Sequence, residues 1–250
     1  MKTNCFIVLP DIHCDYEDPK FINISIKIIE ELKASKASRL KGFVSLGDGL
    51  DFFQLSTYDK DPARKNTIGQ DIAHYNKIID RWSDAMPRSS DMHFLQGNHE
   101  LRAERYIARQ AKELHDIVPL LPTLLKFGER KKHRWHWHKY SNWKSLIIGN
   151  CAIFHGFYFG KNVAMDSLAK YKMSNIFGHC HRIQMIREGD LFAASLGHGS
   201  LEHKTQHTPA PTNWSQGIGV LTVLPSGKTE LEIIHVNDGV ACFRGKVIRG

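Results

Sequence analysis

The sequence contains no C-x-x-C pair, and its five cysteines (Cys5, Cys14, Cys151, Cys180, Cys242) are scattered and odd in number. This excludes a disulfide-stapled scaffold and fits reduced intracellular thiols. No apolar run approaches the roughly 18 residues of a membrane span, and the early run Cys5 to Leu9 is too short for a signal-peptide core. A soluble, cytoplasmic protein with no membrane partner is therefore expected. No repeat, low-complexity tract or linker divides the 250 residues, so one domain over residues 1–250, with a sizeable core, is expected. Acidic excess is absent too: 34 Lys and Arg against 26 Asp and Glu leave a formal charge of +8, a balance that favours anionic partners. At 42% hydrophobic and 24% charged residues, the composition also excludes a chain that stays disordered.

What is present alternates strand and helix signals in the first half. Cys5 to Leu9 is a short buried-strand run. Asp18-Pro19 reads as an N-cap with proline at the first helical position, and Ile22, Ile26 and Ile29 carry that helix to about Ala34. Gly42 to Leu46 is a strand. Ile68, Ile72, Tyr75, Ile79, Trp82 and Met86 form an amphipathic stripe that reads as a core-facing helix. Met92 to Leu95 is a strand, and Glu100 to about Ile117 a helix ended near Pro119 and Pro122. In the second half Leu146 to Ile148, Gly149-Asn150 and Cys151 to Phe154 read as a hairpin. Short strands follow at Asn175 to Phe177, Ile183 to Arg187, Leu191 to Ala194, Ile218 to Leu224 and Glu230 to Val236, with one helix near Asn162 to Tyr171. Two sheets flanked by helices are the simplest layer arrangement for this mixed α/β pattern.

Five polar clusters follow strand ends: Asp11-Ile-His13, Gly47-Asp48-Gly-Leu-Asp51, Gly97-Asn98-His99-Glu100, His155-Gly156 and Gly178-His179-Cys-His181. Loops beyond the carboxyl ends of strands share one edge of an open α/β sheet, so these residues can converge. Carboxylate, imidazole and amide oxygen are the mixed ligands that divalent transition metals accept without cysteine. Asp11 and His13 lie two apart, as do His179 and His181, so extended backbone would turn both members of each pair the same way. Glycine before Asp48, Asn98 and His179 suits a tight turn or close backbone approach. Taken singly, Asp-x-His describes a solvated loop and Gly-Asn-His-Glu a helix start with Glu100 in its first turn. The ordered combination points to a metal site.

That set resembles the calcineurin-like metallophosphoesterase signature, D-x-H, G-D-x-x-D, G-N-H-(D/E), H and G-H-x-H, across about two thirds of the chain from Asp11 to His181. The resemblance implies a four-layer αββα sandwich, with two central mixed β-sheets and a di-metal site at the strand ends. It implies one ion held by Asp11, His13 and His181, a second by Asn98, His155 and His179, Asp48 bridging both, and His99 as the catalytic histidine. Asp51 and Glu100 match the signature as supports. The ions expected are two divalent cations, manganese first, with iron, zinc, nickel or cobalt also compatible. Such a pair, roughly 3.5–4 Å apart, shares a hydroxide nucleophile and clamps the phosphate, while His99 serves the leaving group as general acid.

Substrate choice lies outside these blocks. Phe52 follows Asp51 where serine/threonine phosphatases of the superfamily carry arginine, which argues against a protein phosphatase. Glu100 stands where many nuclease branches carry aspartate, and Asn213-Trp214-Ser-Gln-Gly217 looks like a phage or prophage segment. Lys126 to Lys144 holds seven cations against Glu129 alone. Within it Lys131, Lys132, Arg134, Trp135 and Trp137 suit nucleic acid, through backbone neutralisation and base stacking. The same alternation also describes a strand with an apolar inner face and a basic outer one. Arg102 and Arg105, one turn apart, are candidates to reach a phosphate. His198, His203 and His207 follow the last block and are left out of the site. The leading expectation is a phosphodiesterase acting on DNA or another nucleic acid or nucleotide. A phosphomonoesterase for small metabolites is the alternative, and a non-catalytic metal-binding interaction module the third.

Overall fold

Apolar side chains at every second position make the first strand two-faced, and both faces are covered. In the computed structural model, which describes residues 2–141, 144–201 and 212–250, β1 (Thr3–Leu9) turns Cys5, Ile7 and Leu9 towards helices and Val8 towards a second sheet. The helices are α1 (Pro19–Ala34), capped by Asp18 accepting the Lys20 N–H at 2.9 Å, and, after β2 (Ser38–Ser45), α2 (Ile68–Ala85). Thr67 and Gln70 close a reciprocal capping box at the start of α2, which satisfies backbone donors that the first turn leaves over. The stripe read from the sequence is the buried face: Tyr75, Ile79 and Trp82 are buried, and the Trp82 indole donates to Ser25 Oγ on α1 at 2.8 Å.

β3 (Asp91–Leu95) leads into α3 (Asn98–Gln110). This helix stops well short of Ile117, because Ala111 leaves the helical region with φ −155° and a 3₁₀ turn follows at Lys112–Leu114. The prolines at 119 and 122 therefore do not set its end, and Pro122 instead sits in the short α4 (Leu121–Leu124). β4 (Arg134–His138), the hairpin β5 (Leu146–Ile148) and β6 (Cys151–Ile153), then α5 (Val163–Tyr171), β7 (Ser174–Phe177), β8 (Ile183–Glu188), β9 (Leu191–Leu196), β10 (Gln216–Val223) and β11 (Thr229–Asn237) follow. Two strands not anticipated, β12 (Val240–Phe243) and β13 (Lys246–Arg249), close the described chain. Asp238-Gly239 and Arg244-Gly245 link them through pairs of residues with positive φ, the conformation tight hairpins need.

The strands form two mixed sheets, ordered β13-β12-β11-β10-β1-β2-β3-β4 and β5-β6-β7-β9-β8. β1, β2, β3 and β4 run parallel in the first, and β6, β7 and β9 in the second. Phe21, Ile28, Trp82 and Phe43 fill the space between α1, α2 and the first sheet. Val44, Leu46, Ile153, Ile176 and Leu196 fill the space between the sheets, and Phe154, Val163, Phe177 and Leu168 the space under α5. The result is the expected αββα order. No helix among the described residues is long and apolar enough to cross a membrane.

Candidate metal centre

The parallel strands β1, β2, β3, β6, β7 and β9 all end at the same edge, and each delivers a polar side chain there. Backbone bonds tie the loops together: the N–H groups of Ile12 and His13 donate to Asp48 O, and Gly178 N–H to His155 O at 2.7 Å. Asp11 Oδ2 accepts the His179 N–H at 2.8 Å, and Asp48 Oδ1 the His99 N–H at 2.8 Å. The glycines before these residues are sterically required. A Cβ on Gly97 would lie 2.1 Å from Asp48 Oδ1, and one on Gly178 would lie 2.1 Å from Asp11 Oδ1.

The pairs Asp11/His13 and His179/His181 do converge, but not through extended backbone as expected. His13, Asp48, His179 and His181 have φ of 50°, 47°, 68° and 57°. For residues with a Cβ this left-handed conformation costs about 1–2 kcal/mol each, and strain of this kind collects at functional sites. The chain kinks at these four of the seven ligand candidates to aim them inward.

Two groups result. Asp11, His13 and His181 bring one ligand atom each within 4.8 Å of one another, and so do Asp48, His155 and His179. Asn98 Oδ1 joins the second group, 2.9 Å from His155 Nε2. All seven predicted residues therefore meet at one place, with His155 Nε2 3.2 Å from Asp48 Oδ2 and His181 Nε2 3.3 Å from Asp11 Oδ2. His155 donates from Nδ1 to Leu46 O at 2.9 Å, which leaves Nε2 turned to the pocket.

The donors suit divalent cations. Asp11 Oδ1 is buried without a hydrogen-bond partner, and His13 Nε2 lies 2.9 Å from His181 Nε2. Burial alone would raise the Asp48 carboxyl, but the His155 and His99 imidazoles hold it well below the usual range. Burial alone would lower His155, yet Asp48 and Asp11 push it up to about 10. Asp48 and Asp11 thus favour a positive charge beside them. Burial and the His155 charge lower His179 to about 4.

Around this pocket, supporting groups fix the geometry. Glu100 is wholly buried and accepts the N–H groups of Asp48, Leu50 and Gly97 at 2.8 to 3.0 Å, clamping the second and third motif loops together. Asp51 Oδ1 lies 3.1 Å from His13 Nδ1 and 3.2 Å from His99 Nδ1, so it orients both rings, the supporting place expected of it. His99 stands at the rim of the pocket, with Nε2 3.8 Å from Asp48 Oδ2 and 3.1 Å from Arg102 Nη2. Sequence reasoning left out His198, yet it is buried in the pocket wall, its ring 5.4 Å from that of His181, and burial with the His181 charge lowers it to about 3. The signal was present: glycines flank His198 at the end of β9, as at the other motif loops. Trp214 packs edge-on against His181 at 4.4 Å. His203 and His207 lie outside the described residues. Cys14, Glu17 and His74 form another group of potential ligands, but there His74 Nε2 already pairs with Glu17 Oε1 at 2.6 Å and the thiol donates to Asp71 O.

Of the predicted basic stretch, Arg134, Trp135 and Trp137 lie on β4. Trp135 stacks on Phe127 with 4.5 Å between rings and 4° between planes, and Trp137 on Phe94 at 5.2 Å and 7°. Both are half-buried against the helix-side core, the inner face of β4 instead of an open platform for bases. Lys132 Nζ donates to the carbonyls of Ser83 and Asp84, Lys131 Nζ to Gly128 O, and Arg134 pairs with Asp91 at 2.8 Å. These cations serve the local fold, and none is among the residues of the metal pocket.

No model of a known family matches the chain, and no curated protein matches it. Solved structures do at low identity. Vps29 from Chaetomium thermophilum is 13% identical with a TM-score of 0.45, covering 94% of this chain and 92% of that one. Vps29 from Entamoeba histolytica, complexed with Zn²⁺, is 12% identical with a TM-score of 0.44, covering 97% and 95%. A conserved predicted phosphoesterase from Streptococcus pneumoniae is 14% identical with a TM-score of 0.40, covering 100% and 99%. At this distance the chemistry has to be argued from the residues of the pocket itself.

Proposed function

We propose that this chain is a two-metal phosphoesterase acting on phosphodiesters, with nucleic acid or nucleotides as the substrate class. The observation that carries the reading is the meeting of two buried Asp/His groups, Asp11-His13-His181 and Asp48-His155-His179, at one strand edge with His99 at their rim. Asp11, His13 and His181 would hold one divalent ion, Asn98, His155 and His179 the other, and Asp48 would serve both. Oxygen and nitrogen donors without thiolate accept manganese, iron, zinc, nickel or cobalt, and availability decides among them. Bound there, two such ions supply Lewis-acid polarisation of the phosphate and a water acidic enough to attack it near neutral pH.

The protein's own residues supply the rest. Asp51 keeps His99 oriented by accepting its Nδ1–H on the backbone carbonyl at 2.8 Å; Nε2 accepts from Arg102 at 3.1 Å here, and once protonated in place of that contact it would serve the leaving oxygen as general acid. Burial opposes the His99 cation, but Asp48 and Asp51 raise its pKa above the ordinary value, which suits a proton donor. Arg102, held by Asp51 O at 3.0 Å, sits beside His99 where a phosphate oxygen would arrive.

The test is purified chain with manganese on a bis-aryl phosphate and a mono-aryl phosphate, with metal analysis of the same sample. Turnover of the diester at two ions per chain is expected. Preference for the monoester would favour a phosphomonoesterase, and no turnover at full metal loading would favour a non-catalytic binding module.

A further inference from the structure

A cleft of about 380 Å³ opens at Asn98, one of the seven pocket residues, and runs along α3. Arg102, Arg105 and Arg109 line one wall, on one face of the helix at spacings of three and four. Lys60, whose Nζ also donates to Gln54 O at 2.9 Å, and Tyr58 line the cleft from the loop after β2, and Tyr106 stands beside the arginines. Among the described residues no carboxylate lines the cleft. Arg102 is engaged by Asp51 O and His99, whereas Arg105 and Arg109 are exposed and belong to no ion pair among the described residues.

We propose that this cleft is the track for a single-stranded nucleic acid whose scissile phosphate lies at the metal pocket and whose flanking phosphates lie on Arg105, Arg109 and Lys60. The inference rests on the phosphodiesterase reading and names its substrate. From Arg102 to Arg109 the helix rises about 10 Å, so the cations extend well beyond the reach of one phosphate group. A small phosphomonoester would leave them unused. Tyr106, 49% exposed, adds a flat face at the cleft, the combination on which bases of any sequence stack while cations follow the backbone. The track thus lies on α3, not on the β4 edge.

The test compares parent chain and the Arg105→Glu/Arg109→Glu variant, each loaded with manganese, on a labelled single-stranded oligonucleotide and on a bis-aryl phosphate. The ratio of the two kcat/KM values is expected to fall about 10- to 100-fold in the oligonucleotide's disfavour. The salt dependence of oligonucleotide binding is expected to flatten by about 1.4 in log–log slope, two phosphate contacts at about 0.7 each. Arg105→Gln/Arg109→Gln, with a melting curve, guards against misfolding and is expected to show a smaller shift in the same direction. An unchanged ratio and slope, equal loss on both substrates, or a parent that turns over the bis-aryl phosphate but ignores the oligonucleotide overturns the track. Inorganic polyphosphate competing as well as the oligonucleotide also overturns it, since stacking then adds nothing. A parent inert on the bis-aryl phosphate fails the hydrolase reading instead, and the oligonucleotide binding slopes alone then decide the cleft.

Discussion

His13 Nε2 and His181 Nε2 stand 2.9 Å apart although 168 residues separate them in the chain. Two imidazole nitrogens at that distance are joined either by one proton, in a tautomer-dependent N–H···N hydrogen bond, or by a cation that takes the proton's place. With Asp11 alongside, 3.3 Å from His181, the pair offers a cation two nitrogens and a carboxylate.

Metal loading is therefore expected to stabilise the protein. At a hundredfold excess over Kd one ion contributes about 2.7 kcal/mol, a rise in Tm of roughly 5–10 °C at this chain length. Differential scanning calorimetry before and after chelation checks it. His181→Ala is expected to lose part of the rise and one metal equivalent, and an unchanged Tm on chelation would count against the site.

His99→Gln is expected to lower kcat on an unactivated phosphodiester by about 10²–10⁴ while both metal equivalents are retained, because His99 approaches Asp48 only at 3.8 Å. Steady-state kinetics paired with metal analysis distinguishes this from loss of a ligand.

Glu100→Gln is expected to cost about 1–3 kcal/mol of folding stability, since a buried carboxyl accepting three backbone N–H groups is replaced by an amide that offers one oxygen and turns an N–H₂ against a donor. A lower urea midpoint with an unchanged m-value is the expected signature.

His93 gives a pH dependence away from the pocket. Burial, then the neighbouring His138 and His136, lower it to about 4, with His138 Nε2 3.0 Å from its Nδ1. A depressed histidine binds its proton first in the unfolded chain, so its contribution is present above about pH 6.5 and is lost as pH falls towards 4. The loss is on the order of 1–2 kcal/mol after solvent screening. His93→Gln is expected to flatten the stability curve across that window, and identical curves would remove His93 as its cause.

Trp135→Ala and Trp137→Ala are each expected to destabilise by about 3 kcal/mol, as truncated half-buried aromatics do, measured by denaturant melts. Charge reversal at Lys131, Lys132 and Arg134 is expected to change single-strand affinity by less than about threefold. A larger loss would return that stretch to the binding surface.

Much of the fold was legible because its signals are local. The Asp18-Pro19 cap, the stripe from Ile68 to Trp82 and the Gly149-Asn150 turn each act within a few residues, and each stands where expected. The end of α3 was missed because Ala111 carries no breaker chemistry of its own. Trp135 and Trp137 remained ambiguous because alternation says which residues share a face and not what covers that face; Phe127 and Phe94 cover it.

Residue chemistry in order along the chain determined which side chains can bind cations, and strand-end positions determined that they could share an edge. Only the tertiary structure decided that left-handed kinks aim them, that Asp51 and Glu100 lock them, and that His198 belongs to the wall. Those outcomes depend on contacts between residues far apart in sequence, whose energies no local pattern encodes.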